Sequence, residues 1–144
     1  MARVLGIDVG NKRIGLAISD PSATLARPLI TIHVSGRQDA VDRVAHEVSR
    51  LAGEDDGLAT IVVGVPKRLD GSPTDQTRYV EAFIEALGAC IAVPIAREDE
   101  RLTSREAESR LAEHERDWRL RKLKLDAAAA ALILQDYLDR RRRS

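Results

Sequence analysis

The chain predicts an α/β fold: a mixed five-stranded sheet, three antiparallel strands followed by parallel additions, with helices on both faces. Three observations predict it. The N-terminal stretch reads as two strands of alternating residues joined by a tight turn, Gly10-Asn11-Lys12-Arg13. The segment from Leu58 to Pro66 is apolar on both faces, as a strand in the middle of a parallel sheet must be. Helical and strand patterns then alternate, the order expected of strands joined by crossovers.

The first two strands occupy about residues 3–9 and 14–20, and a third follows Pro28 from Leu29 to Val34. Val41, Val44, Val48 and Leu51 recur at helical spacing and predict a helix that ends near Gly53. After the central strand, Ser72-Pro73-Thr74-Asp75 predicts a second helix, with Ser72 as N-cap, proline in the first turn and an acid behind it. Its buried stripe is Val80, Phe83, Ile84 and Leu87, and Gly88 ends it. Ile91 to Ile95 reads as the fifth strand, running out into Arg97-Glu98-Asp99-Glu100-Arg101. Thr103 and Glu106 form a capping box for a short helix. Residues 115–124 are polar and basic and read as a loop. A last helix presents Leu125, Ala128, Ala129, Leu132, Ile133 and Tyr137 inward.

At 144 residues the expectation is a single domain over 1–144, with a core of ordinary size. The longest apolar run, Ala127 to Leu134, is far short of the roughly 18 residues of a membrane span. A strand beginning at Arg3 leaves no room for a signal peptide, and the single cysteine, Cys90, suits a reducing cytoplasm as an inert, buried thiol. Lys+Arg and Asp+Glu each total 23, so a uniformly basic nucleic-acid module is excluded. Basic residues nevertheless collect in the run Arg119-Leu120-Arg121-Lys122-Leu123-Lys124 and the tail Arg140–Arg143, and local patches bind phosphates even on a neutral chain.

Chemistry enters with Asp8. Strand alternation puts Leu5, Ile7 and Val9 on one face and Gly6, Asp8 and Gly10 on the other. A lone carboxylate on an apolar strand is costly unless paired or bound to a cation, and the bare glycines leave room for a hard cation and a phosphate. Glu100 lies just past the fifth strand and Asp126 opens the last helix, ahead of five alanines that allow close packing on the sheet. If the first, fourth and fifth strands are parallel, Asp8 and Glu100 border the crevice at their carboxyl ends, and the helix brings in Asp126. Oxygen donors without histidine or cysteine suit Mg²⁺ or Mn²⁺. A pair of such ions holds the attacking and leaving oxygens of a phosphodiester displacement. Glu98, Asp99 and Asp70 compete with Glu100 as the middle ligand, and alternation alone does not choose among them.

Four stretches carry a resemblance: Gly6-Ile7-Asp8-Val9-Gly10-Asn11-Lys12-Arg13-Ile14-Gly15; Val63-Gly64-Val65-Pro66 with Asp70-Gly71-Ser72; Asp99-Glu100-Arg101-Leu102-Thr103-Ser104; and Asp126-Ala127-Ala128-Ala129 with Ile133-Leu134-Gln135. In order and over nearly the whole chain, they resemble the YqgF (RuvX) family. The resemblance implies a ribonuclease H-like fold, kinship with Holliday-junction resolvases, and a nuclease that processes the precursor of 16S ribosomal RNA. It places the family's catalytic, metal-binding acids on Asp8, Glu100 and Asp126, with two Mg²⁺ or Mn²⁺ ions. Lys12, Arg13, Lys67, Arg68 and Arg101 are expected phosphate contacts around the crevice.

Other features read blandly. His33, His46 and His114 have no ligand spacing. Trp118 is expected to anchor a loop on the core in preference to stacking on a base, and the arginine tail to be a solvated helix end. Branched DNA is the alternative substrate for the same acids, since they read only phosphate and geometry. A non-catalytic factor associated with the ribosome or the transcription machinery is the alternative of another class. No membrane partner is expected, and the assembly is expected to be a monomer or homodimer.

Overall fold

The computed structural model describes residues 2–99 and 118–143. In chain order these form β1 (Arg3–Val9), β2 (Arg13–Ser19), β3 (Ala26–His33), α1 (Arg37–Ala52), β4 (Leu58–Val65), α2 (Asp75–Cys90), β5 (Ile95–Asp99) and α3 (Trp118–Arg143). The sheet order is β3-β2-β1-β4-β5. β1, β2 and β3 pair antiparallel, while β1 with β4 and β4 with β5 pair parallel, so the mixed sheet is as expected.

Strand alternation sorts the side chains into two cores. Leu5, Ile7, Val9, Ile14, Leu16, Ile18, Ile61, Val63 and Val65 pack against the buried stripes of α1 and α2, with Phe83 and Leu87 fully enclosed. On the other face Val4, Ala17 and Val62 pack against Ala130, Ile133, Leu134 and Leu138 of α3. Helices therefore cover both faces, and β1 and β4 are buried between them.

Several boundaries differ from the sequence reading. β3 starts at Ala26 and contains Pro28, which an edge strand tolerates because it has a neighbouring strand on one side only and proline brings no N–H to the ladder. Ile30 pairs with Leu16 but Pro28 with Ala17, so a bulge at Leu29 absorbs the proline. The N-cap of α2 is Thr74, not Ser72: its hydroxyl accepts from the Thr77 N–H while the Thr77 hydroxyl accepts from the Thr74 N–H. α2 runs past Gly88 to Cys90, whose thiol is exposed at the helix end, not buried.

β5 begins only at Ile95, after the Pro94 carbonyl accepts from the Ile61 N–H. Its charged residues belong to the strand because each of two finds a partner across a face: Arg97 on Glu81 of α2, and Glu98 on Arg140 of α3. Residues 118–124, read as loop, are the first turns of α3, since arginine, lysine and leucine are good helix formers even without an apolar stripe. The buried face of α3 is Ala127, Ala130, Ile133, Leu134 and Leu138, with Ala129; Ala128, Leu132 and Tyr137 are only half-buried, and the side chain of Leu125 lies outside the description. The capping box at Thr103 and Glu106 also lies outside the described residues, as does His114. No helix among the described residues is long and apolar enough to cross a membrane.

Candidate active site

Asp8 is the penultimate residue of β1, at the end where the parallel strands β1, β4 and β5 finish. Its antiparallel partner is Gly15 of β2. On the other side Ile7 pairs with Val63 and Gly64 with Glu98, so the same register carries Gly64 alongside Asp8. One row across the α3 face is thus Gly15, Asp8, Gly64 and Glu98, a carboxylate with a bare glycine on each flank.

Asp126 is brought to this row by the close approach of α3. A Cβ on Gly15 would lie 2.0 Å from the Asp126 carbonyl oxygen, and one on Gly6 would lie 2.8 Å from Leu134 Cβ. Real Cβ atoms do not come so near to backbone oxygen, so only glycine lets the helix seat here. The start of the alanine run therefore rests on β2, one strand spacing of about 4.8 Å from β1 and Asp8. The Asp126 backbone thus lies over the register partner of Asp8. Glycines 15 and 64 were not singled out in the sequence; the signal for them was the alternation that marked Gly6 and Gly10.

The Asp126 carboxylate is half-buried and its Oδ2 accepts from Arg13 Nε at 2.7 Å. Arg13, expected at a phosphate, is thus turned onto an acid. Lys12 is exposed in the β1–β2 turn, where its carbonyl accepts from the Val34 N–H. Lys67 and Arg68 are exposed on the β4–α2 loop, which also leaves the carboxyl end of the sheet; Arg68 donates to the Pro73 carbonyl at 2.9 Å. Gln76 of α2 ties this side to β1 by donating to the Val9 carbonyl at 3.2 Å. Glu100 and Arg101 lie outside the described residues.

The three competitors for the middle ligand are distinguished by position. Asp70 closes its own turn, accepting from the Ser72 N–H and hydroxyl. Asp99 pairs in register with Val65 and so belongs to the α1–α2 face, away from Asp8. Glu98 shares the Asp8 face but is two strands away, about 9–10 Å. It is 4% exposed and engaged by Arg140, with Nη1–Oε1 at 3.1 Å and Nη2–Oε2 at 2.5 Å, the second contact an ion pair outside hydrogen-bond geometry. Burial pushes the Glu98 carboxyl above its ordinary range, against the pull of Arg140.

Among the described residues no group of three or more histidine, cysteine, aspartate and glutamate side chains is close enough to hold a metal. Two carboxylates on neighbouring elements at the carboxyl end of the parallel strands do fit a hard divalent cation, which takes oxygen donors. His33 and His46 line a groove between β3 and α1.

A family model described as "RuvX: Holliday junction resolvase" matches residues 2–140. A Chloroflexus aggregans protein is 41% identical over 139 residues, covering 96% of this chain and 94% of its own. One from Salinibacter ruber is 42% identical over 142 residues, covering 96% and 94%. Both carry the name "Putative pre-16S rRNA nuclease". Among solved structures, T. thermophilus RuvC in complex with Holliday junction substrate superimposes with a TM-score of 0.56 at 18% identity, over 99% of this chain and 96% of that one. The fowlpox virus Holliday junction resolvase does so with 0.52 at 14%, over 96% and 99%. Those two likenesses establish the RuvC, ribonuclease H-like fold. With the family model spanning nearly all of it and relatives at this identity, the chain belongs to the RuvX family and is a nuclease, a hydrolase of the nucleic-acid backbone.

Proposed function

We propose that the chain is a cytoplasmic, divalent-metal-dependent nuclease, one domain over 1–144, whose substrate is the precursor of 16S ribosomal RNA. The observation that supports it best is the seating of Asp126 over Gly15, next to Asp8, at the carboxyl end of the parallel strands. Asp8 and Asp126 hold the metal in this reading, with Glu100 as the third ligand. Divalent cations bound there would supply charge stabilisation at the attacking and leaving oxygens of an in-line displacement. The chain's own residues do the rest. Gly6 and Gly15 let α3 seat on the sheet and carry Asp126 to the strand beside Asp8. Lys12, Lys67, Arg68 and Arg101 attract and register the phosphates on either side without reading sequence. The substrate is taken from the shared name of the relatives.

The test incubates purified protein and its Asp8→Asn variant with precursor 16S RNA, an unrelated single-stranded RNA and a four-way DNA junction, with Mn²⁺ or with chelator. Cleavage of the precursor that falls by about 100-fold or more without metal or without Asp8 is the expected result, since the acid–metal centre supplies several kcal/mol. Preference for the junction would move the substrate to branched DNA. Failure to cleave anything, joined to failure to bind Mn²⁺, would overturn the mechanism.

A further inference from the structure

Arg13 opens β2 on the same face as Gly15, two residues on, and its backbone is fixed by the Gly10 N–H donating to the Arg13 carbonyl at 2.9 Å. From there its guanidinium reaches Asp126, 113 positions away in sequence, at 2.7 Å. The two side chains retain 29% and 22% exposure, so the pair is neither a solvated surface bridge nor a sealed one. A carboxylate that must accept a hard cation faces a difficulty before the cation arrives: partly withdrawn from water, its charge is costly unless opposed. A guanidinium is always charged and keeps its donors at any working pH.

We propose that Arg13 is the resident counter-ion of Asp126, holding the carboxylate until a divalent cation takes it and yielding it then. The inference rests on the metal-binding role of Asp126. Cation and guanidinium compete for the same oxygen, so each weakens the other's hold. Once displaced, Arg13 stays tethered by the β1–β2 turn beside the exposed Lys12, where a backbone phosphate would meet it. Arrival of metal thereby exchanges an internal ion pair for an arginine available to substrate. A residue that merely held Asp126 in position would have the opposite signature, because its loss would loosen metal binding.

The experiment titrates Mn²⁺ calorimetrically into folded wild type, Arg13→Gln, Arg13→Lys and Asp126→Asn, and follows the rise in Tm at saturating Mn²⁺ in each. Arg13→Gln should bind about fivefold or more tightly than wild type, the factor that corresponds to removing a partly buried competitor, and should show the larger rise in Tm. Arg13→Lys, which keeps the charge, should lie between them, and Asp126→Asn should bind more weakly. Equal or weaker binding by Arg13→Gln, with Asp126→Asn still impaired, overturns the counter-ion role and leaves the metal site standing. No binding by wild type, or an Asp126→Asn variant that binds as wild type does, overturns both.

Discussion

Two carboxylates show how differently this fold treats its acids. Glu98 is buried on the α3 face, and burial, opposed by Arg140, raises its pKa. The folded state then holds the proton more tightly than the unfolded state does, so stability falls as pH rises from the ordinary glutamate value toward the raised one. Glu98→Gln removes that loss. Urea melts should find the variant gaining on wild type between pH 4 and pH 7, and a variant that instead loses ground over that range would mean the Arg140 pair outweighs burial. Asp20 runs the other way. The Ser22 hydroxyl, then the Leu25 and Thr24 N–H groups, hold its carboxyl down to about 2. Its contribution is present above the ordinary value of 3.8 and is lost as pH falls toward 2. Asp20→Ala should accordingly flatten the acid limb of a plot of Tm against pH and leave the neutral region as the reference.

At the scale of elements, the site depends on one helix lying flat on two strands. Gly15→Ala adds a methyl that meets the Asp126 backbone, which has no rotamer to yield, so α3 itself must lift. Overpacking of this kind costs about 1–3 kcal/mol, to be read from the shift in urea midpoint. Because the lift occurs at Asp126, Mn²⁺ affinity should fall in the same variant although no ligand is removed; unchanged affinity would show that the carboxylate does not depend on this seating. The same notch explains what the sequence revealed and what it hid. β1, β2, α1 and the stripe of α2 were legible because their apolar residues repeat with period two or about 3.6, and β4 because it is apolar on both faces. The phase of α3 was not, because a run of alanines carries no periodicity, and its buried face is chosen by where Gly6 and Gly15 admit it. β5 was displaced because Arg97 and Glu98 resemble loop residues until Glu81 and Arg140 arrive from two helices. Asp8 and Asp126 each stood out as candidates through their immediate neighbours, the glycines and the alanine run. The bond between Asp126 and Arg13 was not, since no local pattern links residues that far apart.

For the molecule as a whole, the decisive feature is that two cores share one sheet. Leu5, Ile7 and Ile61 face α1 and α2, while Val4 and Val62, their neighbours in the same strands, face α3. Neither layer can be lost without exposing the back of the strands that support the other. The structure therefore predicts a single cooperative transition. Trp118, the one tryptophan, belongs to α3, so fluorescence comes from that helix, whereas far-UV circular dichroism reports all helices and strands. Phe83→Ala, a deletion in the α1–α2 core, should cost about 3–5 kcal/mol and move the tryptophan signal as far as the dichroism signal. Leu134→Ala on the α3 side should cost about 2–5 kcal/mol and again shift both together. If either substitution separates the two curves, α3 docks as its own unit. The seat of Asp126 would then be gained and lost independently of the strand that carries Asp8. Coincident curves in both variants mean that Asp126 takes its seat over Gly15 in the same event that folds the sheet, so every folded molecule carries it beside the strand of Asp8.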